Sequence, residues 1–120
     1  MLTTLARLAF VFGLLAVIVL SIIQTDVNRM LGLPDIVCHM VAYAALAFAG
    51  GIAFRRIRNL YILSASLFLL GATLELAQGL VSGRDASGYE LLANTVGIAI
   101  GGAAVIPTNI LLYRWPKIFG

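Results

Sequence analysis

Three short polar series interrupt an otherwise apolar sequence, and their spacing is helical. Asp35, His39 and Tyr43 stand four residues apart, as do Glu90 and Asn94, while Glu75 and Gln78 stand three apart. On an α-helix these intervals set side chains along one face, each about a turn from the next. A carboxylate or an imidazole held this way can take up a proton or act as a general base. Arg84 lies between the second and third series, in the stretch Ser82-Gly83-Arg84-Asp85-Ala86-Ser87-Gly88. Its guanidinium suits a phosphate or carboxylate, and the Tyr43 phenol suits an interfacial headgroup. His39 with Asp35, Glu75 or Glu90 offers metal-ligand atom types. A lone histidine without ligand spacing is too little for a metal centre, so neither a metal nor a cofactor is expected.

The elements that must carry these residues follow from composition. The 120 residues are 62% hydrophobic and 11% charged, and the mean hydropathy is +1.05. A soluble domain of this size cannot hide so much apolar surface. Crossing a hydrocarbon core of about 30 Å takes about 20 apolar residues in a helix. Four such runs occupy nearly the whole chain, predicting helices over about 5–23, 36–54, 60–81 and 90–113 within a single membrane domain spanning 1–120. The breaks between them are the polar stretch from Gln24 to Pro34, the basic cluster Arg55, Arg56, Arg58, Asn59, and the turn-like Ser82 to Gly88. Asp35 is expected to cap the second helix. The first run exceeds the apolar core of a signal peptide and lacks a small-x-small cleavage pattern, so it reads as a retained helix. Pro107 is expected to kink the fourth.

Orientation comes from the Lys/Arg bias of short loops. Arg7, Arg55, Arg56, Arg58, Arg114 and Lys117 fall on one side and Arg29 and Arg84 on the other. The expected class is therefore an all-α membrane protein, a four-transmembrane-helix bundle with both termini inside (N-in/C-in). The net charge of +3 sits beside apolar spans, which points to anionic lipid headgroups as partners and away from nucleic acid. Cys38, the single cysteine, reads as a small apolar filler.

All five acids, Asp26, Asp35, Glu75, Asp85 and Glu90, then fall in or near the outer half with His39. Glu75 lies about 9 Å below its helix end at about 1.5 Å per residue, and Asn94 reaches a similar depth. A charged Glu75 facing lipid would be costly, so it is expected to face the bundle interior near His39, Gln78, Arg84 or Asn94. Two readings stand for the group: a polar pocket open to the outer leaflet, or a hydrogen-bond network that only holds helices together. Gly97 and Gly101 form a G-x-x-x-G which, with Gly102, Gly50 and Gly51, signals close helix approach.

In order and spacing, Asp35-x-x-x-His39-x-x-x-Tyr43, Gly71-x-x-x-Glu75-x-x-Gln78, Gly83-Arg84-x-x-Ser87 and Glu90-x-x-x-Asn94-x-x-Gly97-x-x-x-Gly101 resemble the VanZ-like family of small bacterial membrane proteins. The resemblance covers residues 35 to 101. It departs from the family pattern at Ile36, where a lysine is usual, and at Glu90, where an aspartate is usual. It implies a multi-pass protein of the cytoplasmic (inner) membrane, tied to the cell envelope and to resistance against glycopeptide antibiotics such as teicoplanin. The ligand set expected is Asp35, His39, Tyr43, Glu75, Gln78, Arg84, Glu90 and Asn94. The partners expected are membrane lipids and a lipid-linked precursor or lipophilic glycopeptide, with a homo-oligomer left open. Binding is expected over catalysis, because the sequence has no nucleophile elbow. The alternatives are a hydrolase or transferase acting on a lipid-linked substrate through Glu75 or His39, and a small proton-coupled transporter, whose essential glutamate would sit in a first helix that here has no acid.

Overall fold

The computed structural model describes residues 1–23, 31–82 and 88–113. Four helices make up nearly all of it: α1 (Leu2–Ile23), α2 (Asp35–Ala53), α3 (Ile57–Ser82) and α4 (Gly88–Tyr113). At about 1.5 Å per residue they run from about 28 to 39 Å, so each is long and apolar enough to cross a membrane.

The starts of α1 and α3 lie about three residues before the apolar runs do, taking in Leu2 to Thr4 and Ile57 to Asn59. Arg58 is thereby helical, as long basic side chains near a helix end readily are. Asp35 does not cap α2. Pro34 holds the cap position with φ −61° and ψ 145°, and Asp35 is the first helical residue. There the carboxylate lies near the positive end of the helix dipole. At the other end of α2, the Phe54 N–H donates to the Gly50 carbonyl at 2.9 Å, and the Asn59 side-chain amide donates to the Phe54 carbonyl at 3.0 Å. The chain turns into α3 through Arg55 at φ +21°. α4 continues through Pro107 as a single helix.

α2 is the hub. It packs most extensively on α4 and next on α1. The residues that meet set the directions. Gly97 lies against Met40 and Gly101 against Ala44, so α2 and α4 run parallel; Phe10 against Gly50 with Gly13 against Leu46, and Leu63 against Gly50 with Gly71 against Tyr43, make α1 and α3 antiparallel to α2. A Cβ at Gly97 or Gly101 would collide with the backbone carbonyl of Met40 or Ala44, so α4 needs those two glycines to approach its neighbour. At Gly51 the obstacle is the Val105 side chain. The core around this contact consists of Tyr43, Leu46, Ala47, Leu63, Leu67 and Ile98, flanked by Phe10 and Leu14. Phe10 also meets Phe54 edge-to-face, with centroids 5.9 Å apart, a favoured aromatic geometry.

The outside is apolar as well. Leu5, Leu8, Phe12 and Leu15 on α1, Leu69, Leu76 and Leu80 on α3, and Leu92, Ile100 and Leu111 on α4 are all exposed. Three hydroxyls on that surface are tied to their own helices: Ser66 donates to Ile62, Thr73 to Leu69 and Thr95 to Leu91, at 2.8 to 2.9 Å. Such back-bonding leaves the hydroxyl with no need of water.

Candidate functional site

The parallel course of α2 and α4 brings their polar series side by side at one end of the bundle, where α2 and α4 begin and α3 ends. Along α2 the series descends from Asp35, which is exposed, through His39, half-buried, to Tyr43, buried. The steps are about 6 Å each. α4 sets Glu90 and Asn94 against it, with exposures of 6% and 1%.

His39 joins the two helices. Its Nδ1 lies 2.9 Å from Asn94 Oδ1. An amide oxygen only accepts, so the ring proton sits on Nδ1 and Nε2 is turned to the other side. There Glu90 Oε2 lies 3.7 Å away, too far for a hydrogen bond but close enough to pair with the imidazolium when the ring takes a second proton. One imidazole thus engages two residues of α4 a turn apart.

α3 supplies the third wall. Gly71 faces the group, and a Cβ built there would come within 2.8 Å of Asn94 Nδ2 and 3.2 Å of the Tyr43 hydroxyl. The glycine is a notch filled by the end of the Asn94 amide and the Tyr43 phenol. One turn further along, Glu75 is buried at 6% exposure and lies within Coulombic range of Tyr43. It faces the bundle interior, as its charge requires.

His39, Tyr43, Glu75, Glu90 and Asn94 therefore gather at the junction of α2, α3 and α4. Gln78 reaches α1, where its side-chain amide donates to the Ser21 carbonyl at 3.3 Å. Asp35 stays at the exposed rim, and Arg84 lies outside the described residues. Among the described residues, no three of His, Cys, Asp and Glu converge on a point that would hold a metal ion. Two features went unread in the sequence. One is the notch role of Gly71, which had appeared only as a motif letter. The other is Asn109, far along α4 at the opposite end, whose amide oxygen is buried without a hydrogen-bond partner; a lone asparagine in an apolar run was its only signal.

The junction can do two things chemically. It can pair a protonated His39 with the Glu90 carboxylate, and it can present Nε2 of a histidine whose side chain is still 23% exposed. No protein family, curated protein or solved structure matches the chain.

Proposed function

We propose that the chain is a VanZ-like integral protein of the bacterial cytoplasmic membrane, with four spans and both termini inside. In this reading, the junction of α2, α3 and α4 is an outer-leaflet polar site that binds an amphipathic or lipid-linked envelope molecule, through which the protein contributes to glycopeptide resistance. The observation that carries the proposal is the linkage of partly exposed His39 to buried Asn94 and Glu90. Buried polar groups need partners, and a network serving only to join helices would have no reason to keep one member at the surface. The apolar outer surface with self-satisfied hydroxyls supports insertion, and the six-to-two division of basic residues supports the orientation.

Mass spectrometry of what co-purifies with mildly solubilised protein tests the binding reading. An amphipathic species enriched on wild type and lost on Asn94→Leu is the expected result; identical profiles on both would overturn it. Single-cysteine labelling in a Cys38→Ser background tests the orientation. Cysteine at position 87 should react with an impermeant outside reagent and cysteine at 59 should not, and the reverse pattern would invert the topology.

A further inference from the structure

Away from the polar junction, on the opposite flank of α4, an apolar groove of about 500 Å³ runs between α3 and α4. Leu60, Tyr61, Ser64 and Phe68 form one wall, and the small residues Ala99, Gly102 and Ala103 form much of the other. Thr95, at its far end, commits its hydroxyl to the Leu91 carbonyl. The two helices run antiparallel here, with Leu60 beside Gly102.

Length and charge identify the occupant. Leu60 to Phe68 spans about 12 Å and Thr95 to Ile106 about 16 Å at 1.5 Å per residue, which is half of a hydrocarbon core about 30 Å thick. The groove is one leaflet deep. At the end where α3 begins, the exposed Arg56 and Arg58 stand four and two residues before Leu60 in the chain. Tyr61 is 73% exposed at the same level, where an amphipathic ring sits well in a membrane interface. A second helix packing here would use the full height of α4 and would have no use for two guanidinium groups at one end. An acyl chain with a phosphate at its head matches both the depth and the charge.

We propose that this groove holds one acyl chain of an anionic phospholipid from the leaflet on the arginine side, its phosphate resting on Arg56 and Arg58. The inference depends on the membrane reading above and is independent of what the polar junction binds. It makes the α3–α4 flank a lipid site with headgroup selectivity.

The test uses the full chain in mixed nanodiscs, with retained phosphatidylglycerol and phosphatidylcholine of identical acyl chains counted by native mass spectrometry. Wild type should retain phosphatidylglycerol preferentially. Arg56→Gln and Arg58→Gln should each weaken that preference by about fivefold, since a basic residue near an anionic surface is worth about 1 kcal/mol. Ala103→Phe, which fills the groove from α4, should lose the bound lipid while both arginines remain. Ser64→Phe does so from the other wall, so a folding defect in one variant leaves the other to decide. Three results would overturn the site: equal retention of the two lipids by wild type, unchanged phosphatidylglycerol on both groove-filling variants, or conversion of a wild-type dimer to monomer by Ala103→Phe with lipid retention unaltered, which would make the groove an interface between copies. Failure of the chain to enter nanodiscs at all would count against membrane insertion instead, so the two failures are distinguishable.

Discussion

Along the contact between α2 and α4 two kinds of packing follow one another within a few turns. At the end where both helices begin, the contact is made by His39, Glu90 and Asn94. From Gly97 onward it is made by missing side chains, with glycine set against the Met40 and Ala44 backbone and Gly51 against Val105. The glycine contacts gain dispersion from backbone and apolar atoms alone. The polar half must first bury two carboxylates and an amide, counting Glu75 on α3, and hydrogen bonds in membranes return only about 0.6 kcal/mol each on average. A bundle needing only adhesion would have continued the glycine pattern to its end. The difference divides the interface into a stretch held by close backbone approach and a stretch held by polar side chains.

The largest effect should come from the packing half. Gly101→Leu drives a side chain into the Ala44 backbone, which cannot yield as a side-chain tip would, and should destabilise by about 3 kcal/mol or more. A denaturant titration of purified protein, followed by helicity, measures this. Gly102→Ala in the same helix is the control, because its new methyl would meet only Leu60 Cδ1 at an ordinary 3.8 Å. If the two variants unfold alike, the glycine pair is not what sets the α2–α4 approach.

Next in size is Asn94→Leu. It removes the acceptor of His39 Nδ1 and leaves that donor partly buried, a loss of about 1–3 kcal/mol. The double variant with His39→Leu should recover part of the loss, since it removes both partners of this hydrogen bond. Additive losses in a double-mutant cycle would show that the 2.9 Å contact contributes nothing to stability.

Smaller again is Gly71→Ala. Its methyl group meets the ends of two side chains, which can shift by a few tenths of an ångström, so stability should fall by about 1 kcal/mol. Binding should suffer more, because the Asn94 amide and Tyr43 phenol would both be displaced. Loss of the co-purifying molecule with the unfolding midpoint nearly unchanged is the expected pattern. An unchanged complement of bound molecules would mean that the notch does not shape the site.

The four helices were legible because long apolar runs and their polar breaks are one-dimensional signals that need no partner. Helix ends were less so: Arg58 and Asn59 look like loop by hydropathy, yet they belong to α3 because the backbone continues its hydrogen bonding regardless of polarity. The G-x-x-x-G of Gly97 and Gly101 announced a close approach but not its recipient, and nothing in the sequence says that Met40 and Ala44 receive it. Within the polar series, a four-residue step keeps His39 over Tyr43 and Asn94 beneath Glu90. The three-residue step from Glu75 to Gln78 turns the side chain about 60° at 3.6 residues per turn, and Gln78 reaches Ser21 on α1. Spacing along one helix can place residues on a face, but which helix meets that face is a tertiary fact.

The central claim, that the polar junction serves function more than folding, is tested most directly by Glu75→Gln, which keeps shape and hydrogen-bonding capacity while removing the charge. Its accumulation and thermal unfolding midpoint should be measured beside its ability to restore glycopeptide or envelope-stress tolerance to cells lacking the protein. The account expects a variant that accumulates and melts like wild type but does not complement. Full complementation, or loss of stability large enough to explain the failure, would contradict it and return the junction to a role in holding the helices together.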